Sequence, residues 1–115
     1  MAQTLSEWGY GATNLSPSST GLPILVWVFP KAGARHDARI KISRSPKIRR
    51  QHQLLSVAID PPVRVIRNGY GPTLSERELR LLFSWVELNR TALIRHWSGG
   101  SDSGDIIKVV KRVEG

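Results

Sequence analysis

The residues best placed to do chemistry lie in one short segment, 33–37, which reads Gly-Ala-Arg-His-Asp. His36 can act as a general acid or base near neutral pH, and Arg35 beside it can hold a phosphate or an anionic transition state. A nuclease would use such a pair. The alternative is a hydrogen-bonding role in a loop, because Asp37 would point away from His36 in an extended chain. We favour the loop role, so His36 and Arg35 are weak catalytic candidates and a His36-dependent nuclease is the third hypothesis.

The other reactive residue types predict no metal site and no cofactor. The chain has no cysteine, which excludes disulfides, thiolate zinc sites and cysteine nucleophiles. Its three histidines, His36, His52 and His96, show no metal-ligand spacing. The glycines within 99–104 suggest a phosphate loop, but Lys108 is not where that motif requires a lysine. The sequence therefore favours a non-enzymatic protein.

Charge is concentrated in one part of the chain. The formal net charge is +8. Between Lys31 and Arg67 there are ten basic and two acidic residues, which accounts for all of it, and the rest of the chain sums to zero. Basic surfaces with an aromatic residue are typical of nucleic-acid binding, since cations contact phosphates and rings contact bases. The alternative is a solvated basic face that keeps the protein soluble.

This segment supplies the predicted polyanion-binding residues. Arg39 and Lys41, on an alternating strand, are expected to share the face opposite the core, and Arg64 from a later strand is a further candidate for that face. Trp27 or its strand neighbours are expected beside them. The candidates are Arg39, Lys41, Arg44, Lys47, Arg49, Arg50 and Arg64.

Four strands are expected to form an antiparallel meander. Residues 24–29 are apolar on both faces, which predicts a central strand or one covered on both sides. Residues 37–43 and 54–60 alternate between apolar and polar, as half-buried strands do, and residues 63–67 form the fourth strand. Residues 1–22 are predicted to be a flexible N-terminal tail, part of which can fold back onto the domain, and residues 23–115 a single α+β domain.

One long helix is predicted over residues 76–97. Ser75 and Glu78 have the spacing of a capping box, and glycines after residue 98 can end the helix. Apolar residues recur every three or four positions, but Asn89 and Arg90 interrupt them. The interruption permits a kink or two helices, and we favour a single helix because no Pro or Gly breaks it. His96 is expected to be a cation at the helix end.

The last element, residues 105–113, fits either a helix or a strand. We predict a short helix with Ser103 as its cap. The whole is then α+β: a four-stranded antiparallel sheet packed by the long helix, followed by the short one.

The spacing Leu81-Leu82-x-x-Trp85-x-Glu87-Leu88-Asn89-Arg90-x-x-Leu93-x-x-x-Trp97 resembles that of a group of small bacterial proteins classed as a domain of unknown function. Some of these are encoded beside toxin–antitoxin-like partners. Better-known members carry Pro-Pro-His-x-His before their second strand; here His36 matches one histidine and residue 38 is Ala. The resemblance implies a bacterial origin and a toxin–antitoxin connection, but no mechanism.

Location and partners follow from the remaining patterns. The longest apolar run, residues 24–29, is far shorter than the ~20 residues of a membrane span. The first 30 residues contain no Lys or Arg, so no signal peptide is expected and a cytoplasmic location is the default. The first hypothesis is binding of nucleic acid or another polyanion. The second is a protein-interaction module or homodimer, because two-sided apolar elements leave surface for a partner to cover.

Overall fold

The computed structural model describes residues 13–29, 38–47, 54–66, 71–100 and 102–113. The strands in these residues are β1 (Thr13–Leu15), β2 (Leu25–Val28), β3 (Arg39–Ser43), β4 (Leu55–Ala58) and β5 (Arg64–Ile66). The helices are α1 (Pro17–Thr20), α2 (Glu76–Trp97) and α3 (Ser103–Val109). The α+β class, the long helix and the short helix after it are confirmed.

The strands form one antiparallel sheet in the order β1-β2-β3-β4-β5. The meander is confirmed, but the predicted number of four strands is wrong. The fifth strand, β1, lies in the segment predicted as a tail, and its Leu15 is 1% exposed. Three residues are too few to show a period, so β1 is defined by its pairing with β2 (Thr13 with Val28, Leu15 with Val26) and not by its own pattern. Residues 1–12 of the predicted tail lie outside the described residues.

Both faces of the sheet carry buried residues. On one, alternate residues such as Val26, Ile42 and Val57 are completely buried and belong to the same apolar cluster as residues of α2. On the other, Trp27 and Ser56 are 1% and 0% exposed. This explains the two-sided apolarity of β2, which lies between β1 and β3 as a central strand.

Both ends of α2 are fixed as the sequence predicts. Ser75 Oγ accepts a hydrogen bond from Glu78 N at 3.1 Å, and Glu78 Oε1 accepts one from Ser75 N at 2.8 Å. At the other end Gly99 has φ +87°, and Gly100 N donates to Arg95 O at 2.8 Å, the bonding of a Schellman stop. His96 is in the last turn of α2, where a helix-end cation was expected, and its side chain is only 4% exposed.

Asn89 does not break α2; it ties the chain end to the helix. Its Nδ2 donates to Lys111 O at 3.0 Å, and its Oδ1 accepts from Lys111 N at 2.7 Å. Residues 110–113, here called the C-terminal strap, are further held by Val113 N, which donates to Thr20 O at 2.9 Å. Gly21 is needed there, because an added Cβ would lie 2.2 Å from Val113 O. Asn89 is therefore polar for a structural reason.

The short helix α3 starts one residue earlier than its predicted cap suggests. Asp102, not Ser103, is the N-cap: its Oδ1 accepts from Asp105 N at 2.8 Å, and Asp105 Oδ2 accepts from Asp102 N at 3.2 Å. Aspartate caps as well as serine, and the reciprocal bond needs an acceptor three residues on. The helix ends at Val109, and the strap follows.

Replacing Asn89 by Ala should release the C-terminal strap. The change removes the side-chain bonds to Lys111 and leaves a small buried cavity, so we expect a loss of about 2–4 kcal/mol in the free energy of unfolding. Urea unfolding measures the loss, and amide hydrogen exchange at Lys111 should become faster. Thr91→Ala, an exposed change on the same helix, is the control and should cost less than about 0.5 kcal/mol. An equally small cost for Asn89→Ala would show that the strap is not held by this side chain.

Candidate anion-binding surface

The strand register brings three of the predicted basic residues to one face. Arg39 pairs with Ala58, which pairs with Arg64, and Lys41 pairs with Ser56. Paired residues share a face, so the two arginines flank Ala58 at about 10 Å between their Cα atoms, and Lys41 lies about 7 Å from Arg39 along β3. This confirms the predicted common face. We call Arg39, Lys41 and Arg64 the basic cluster.

Small residues make room for the long side chains of the cluster. Ser56 and Ala58 on β4 are 0% exposed. Lys41 is half-buried above them, and its Nζ donates to Ser56 Oγ at 2.7 Å. Because neither small residue reaches far from the sheet, the aliphatic stems of the basic residues can lie across β4.

Trp27 is on the same face, as expected, but it is not a surface ring. It pairs with Lys41, is 1% exposed, and its Nε1 donates to Ser43 Oγ at 2.8 Å. Ser43 Oγ in turn donates to Ser45 O at 2.8 Å. Stacking on a base needs an open ring face, so Trp27 acts here as part of the wall beside Lys41.

Arg39 and Lys41 lie side by side without a paired carboxylate among the described residues. Burial, and secondly the like charge of Arg39, lower the pKa of Lys41. Arg39 Nε is buried and has no hydrogen-bond partner. A buried donor without a partner is costly, and two neighbouring cations repel each other. An anion bound between them would relieve both costs.

Arg64, the third member of the cluster, keeps most of its hydrogen-bonding capacity. Its Nη1 donates to Pro62 O at 2.9 Å and lies 3.8 Å from Asp60 Oδ2. The side chain is 45% exposed. An exposed ion pair at this distance contributes little free energy, so an incoming anion can replace Asp60 as the partner of Arg64.

Arg44 is placed differently from the prediction. Its guanidinium forms a two-bond pair with Glu78, at 2.8 and 3.0 Å, and also donates to Thr73 O at 3.0 Å. Its charge is thereby balanced, and it joins the end of β3 to the start of α2. No local pattern indicates this pair, because its members are 34 positions apart.

Of the remaining candidate residues, the structure describes only Lys47. Lys47 is exposed, four residues after Ser43. Arg49 and Arg50, and the catalytic candidates Arg35 and His36, lie outside the described residues. Their roles stay predictions.

A second feature, absent from the sequence prediction, is an apolar cleft between α2 and α3. It has a volume of about 440 Å³. Its apolar lining comes from Leu88, Ala92 and Val109, and polar residues complete the lining: Asn89, Thr91, Arg95, Asp105 and Lys111. Leu88 is 48% and Val109 52% exposed, although both are large and apolar. In the sequence of α2, Leu81, Trp85, Leu88 and Ala92 form a second apolar line beside the main apolar stripe. This line was the available signal that this side of the helix has more apolar surface than the core uses.

Comparison with known proteins adds no relative. A scan against family models, a search of curated proteins and a search of solved structures each found no match. The resemblance to small bacterial proteins with toxin–antitoxin-like neighbours therefore stays a prediction. Among the described helices, none is both long and apolar enough to cross a membrane.

The Arg44–Glu78 pair predicts a pH dependence of stability. Hydrogen bonds from Arg44, and then from Ser75 N, lower the pKa of Glu78 from 4.5 to about 2. A carboxyl whose pKa is lower when folded stabilises the fold above its unfolded pKa and loses that effect as the pH falls. Glu78→Gln should therefore be less stable than the wild type at pH 7, and the difference should shrink between pH 4.5 and about 2. Urea unfolding at a series of pH values measures it.

Glu76→Gln is the matched control, because Glu76 is at the same end of α2 but forms an exposed pair, with Arg80 one turn later. Its effect should be about 0.3–0.5 kcal/mol at pH 7. A Glu78→Gln difference that stays constant down to pH 2 would contradict the assigned coupling.

Proposed function

We propose that the protein binds the phosphate groups of a nucleic acid through the basic cluster. The observation that carries the proposal is the adjacency of Arg39 and Lys41 on one sheet face, with no carboxylate of the described residues paired to either. Arg39 is a planar donor suited to phosphate oxygens, and Lys41 supplies a point charge next to it. A phosphate between them would satisfy the guanidinium and offset the repulsion.

Arg64 and Lys47 extend the cationic surface. Arg64 lies across Ala58 from Arg39, so a bound chain can contact both arginines at successive phosphates. Lys47 is exposed beyond the end of β3. The net charge of +8 would steer a polyanion toward the protein from a distance.

Recognition by this cluster would depend on charge more than on base sequence. Phosphate contacts position a nucleic acid but do not specify its bases. Trp27, the aromatic residue beside Lys41, is buried and offers no stacking face. We therefore expect affinity that is strongly salt-dependent and similar for different sequences.

A binding titration with matched variants tests the proposal. Fluorescence anisotropy of labelled single-stranded RNA and DNA should show binding at low salt that weakens as salt rises. Arg39→Gln and Arg64→Gln should each weaken binding and reduce the slope of log K against log salt by about 0.7, one phosphate contact on a single strand.

Arg80→Gln is the control. It removes the same charge from α2, where Arg80 pairs with Glu76 at 2.6 Å. It should leave the affinity nearly unchanged. Absence of binding at low salt, or an equal loss in the Arg80 variant, would reject the basic cluster as the site.

A second candidate function is self-association through α2 and α3. The exposed large apolar residues of the described chain are Leu88, Ile94, Ile107 and Val109, all on these two helices. Residues 76–109 contain five basic and five acidic residues, so a second copy meets no net repulsion there. The apolar cleft would then be covered by the same surface of the partner copy, as in a two-fold dimer.

Sedimentation velocity at increasing concentration tests self-association. Leu88→Glu should shift the protein toward the monomer, because it places a charge in the apolar contact. Thr73→Glu adds the same charge at an exposed site away from the cleft and should have no effect. A wild type that is monomeric at every concentration would eliminate this candidate.

A further inference from the structure

We propose that Lys41 is a reactive amine that condenses with the carbonyl group of a small anionic aldehyde or ketone to form an imine. This covalent capture goes beyond nucleic-acid binding and does not depend on it.

The sheet holds the Lys41 amine in a defined position. Lys41 lies at the centre of β3, the middle strand, between Trp27 on β2 and Ser56 on β4. Its Nζ donates to Ser56 Oγ at 2.7 Å, and both neighbours are buried. A half-buried amine anchored in this way lacks the free motion of a surface lysine, which favours a single direction of attack.

The surroundings of Lys41 also favour its neutral, nucleophilic form. Burial disfavours the ammonium ion, and the positive charge of Arg39 on the same face acts in the same direction; together they lower the pKa of Lys41. The residues paired directly beside it, Trp27 and Ser56, carry no charge. Desolvation next to another cation is a known way to activate a lysine for imine formation.

Arg39 defines the class of carbonyl compound. Arg39 lies two residues from Lys41 on the same face of β3, and its Nε has no hydrogen-bond partner. A carboxylate or phosphate close to the carbonyl would contact this guanidinium while the carbonyl carbon lies near Nζ. The expected ligands are therefore small anionic aldehydes or ketones.

The reaction balances without an oxidant or a cofactor. The Nζ lone pair attacks the carbonyl carbon, so a C–N bond forms and the C=O π electrons move to oxygen. A proton passes from nitrogen to that oxygen, for which the Ser56 hydroxyl is close enough to act as a relay. The hydroxyl then takes up a proton from solvent and leaves as water, so the C–O bond breaks while the nitrogen lone pair forms the C=N bond. Nitrogen releases its second proton to solvent, which gives the neutral imine.

Labelling of the intact wild-type protein tests the proposal. The probe is pyridoxal 5′-phosphate at low concentration and neutral pH, followed by borohydride reduction and peptide mapping by mass spectrometry. Lys41 should be labelled several-fold faster than Lys47, an exposed lysine in the same sample. The preference should disappear when the protein is unfolded in urea, because it depends on the folded environment.

Two comparisons separate the role of Arg39 from general reactivity. Pyridoxal, which lacks the phosphate, should label Lys41 more slowly than the phosphorylated probe. Arg39→Gln should reduce this difference between the probes. Labelling of Lys41 at the rate of Lys47 or slower in the folded protein would overturn the proposal. Since no nucleic acid is present, that result would leave the phosphate-binding proposal standing on its own test.

Discussion

Side chains alternate between the two faces of a strand, so the burial of Ile40 and Ile42 obliges Arg39 and Lys41 to lie on the opposite face. Ile40 and Ile42 are 1% and 0% exposed and belong to the apolar cluster shared with α2. Burying each side chain of this size contributes about 1.5–3 kcal/mol. A register shift of one residue would move both isoleucines out of the core, which makes the position of the cations a consequence of core packing. The packing of the apolar face of the sheet therefore fixes the backbone position of the candidate site.

Three polar side chains connect the helix to the rest of the chain. Arg44 pairs with Glu78 at the first turn of α2, Arg90 Nε donates to Ile59 O at 2.7 Å after β4, and Asn89 holds the C-terminal strap. Each of these contacts links two segments that are distant in sequence. They fix how the helix lies on the sheet, whereas the apolar residues supply most of the stabilisation.

Local patterns predicted the features that depend on neighbouring residues. The bounds of α2 followed from Ser75, Glu78 and the glycines after residue 98, and the face shared by Arg39, Lys41 and Arg64 followed from alternation. Features that depend on distant contacts were missed. The strand β1 is defined only by its pairing with β2, and Arg44 comes within hydrogen-bond distance of Glu78 only when the helix packs on the sheet. Trp27 was expected beside the cations, and the apolar character of both faces of residues 24–29 was the local sign that its ring would be buried.

The same distinction applies to the two functional candidates. Charge arithmetic located the basic excess between Lys31 and Arg67, and the register then showed which of its described residues are adjacent and which, like Arg44, are already paired. The apolar cleft between α2 and α3 needed both helices in place, although Leu88 had signalled surplus apolar surface. The basic cluster and the apolar cleft involve different residues, so phosphate binding and self-association are compatible.

Mapping the bound surface by NMR tests the central claim most directly. Backbone amide shifts of the protein would be followed while a short single-stranded oligonucleotide is added. Binding by the basic cluster predicts that the largest changes fall on β3, β4 and β5, around Arg39, Lys41, Ala58 and Arg64. Changes confined to α2 and α3, or none at low salt, would contradict it.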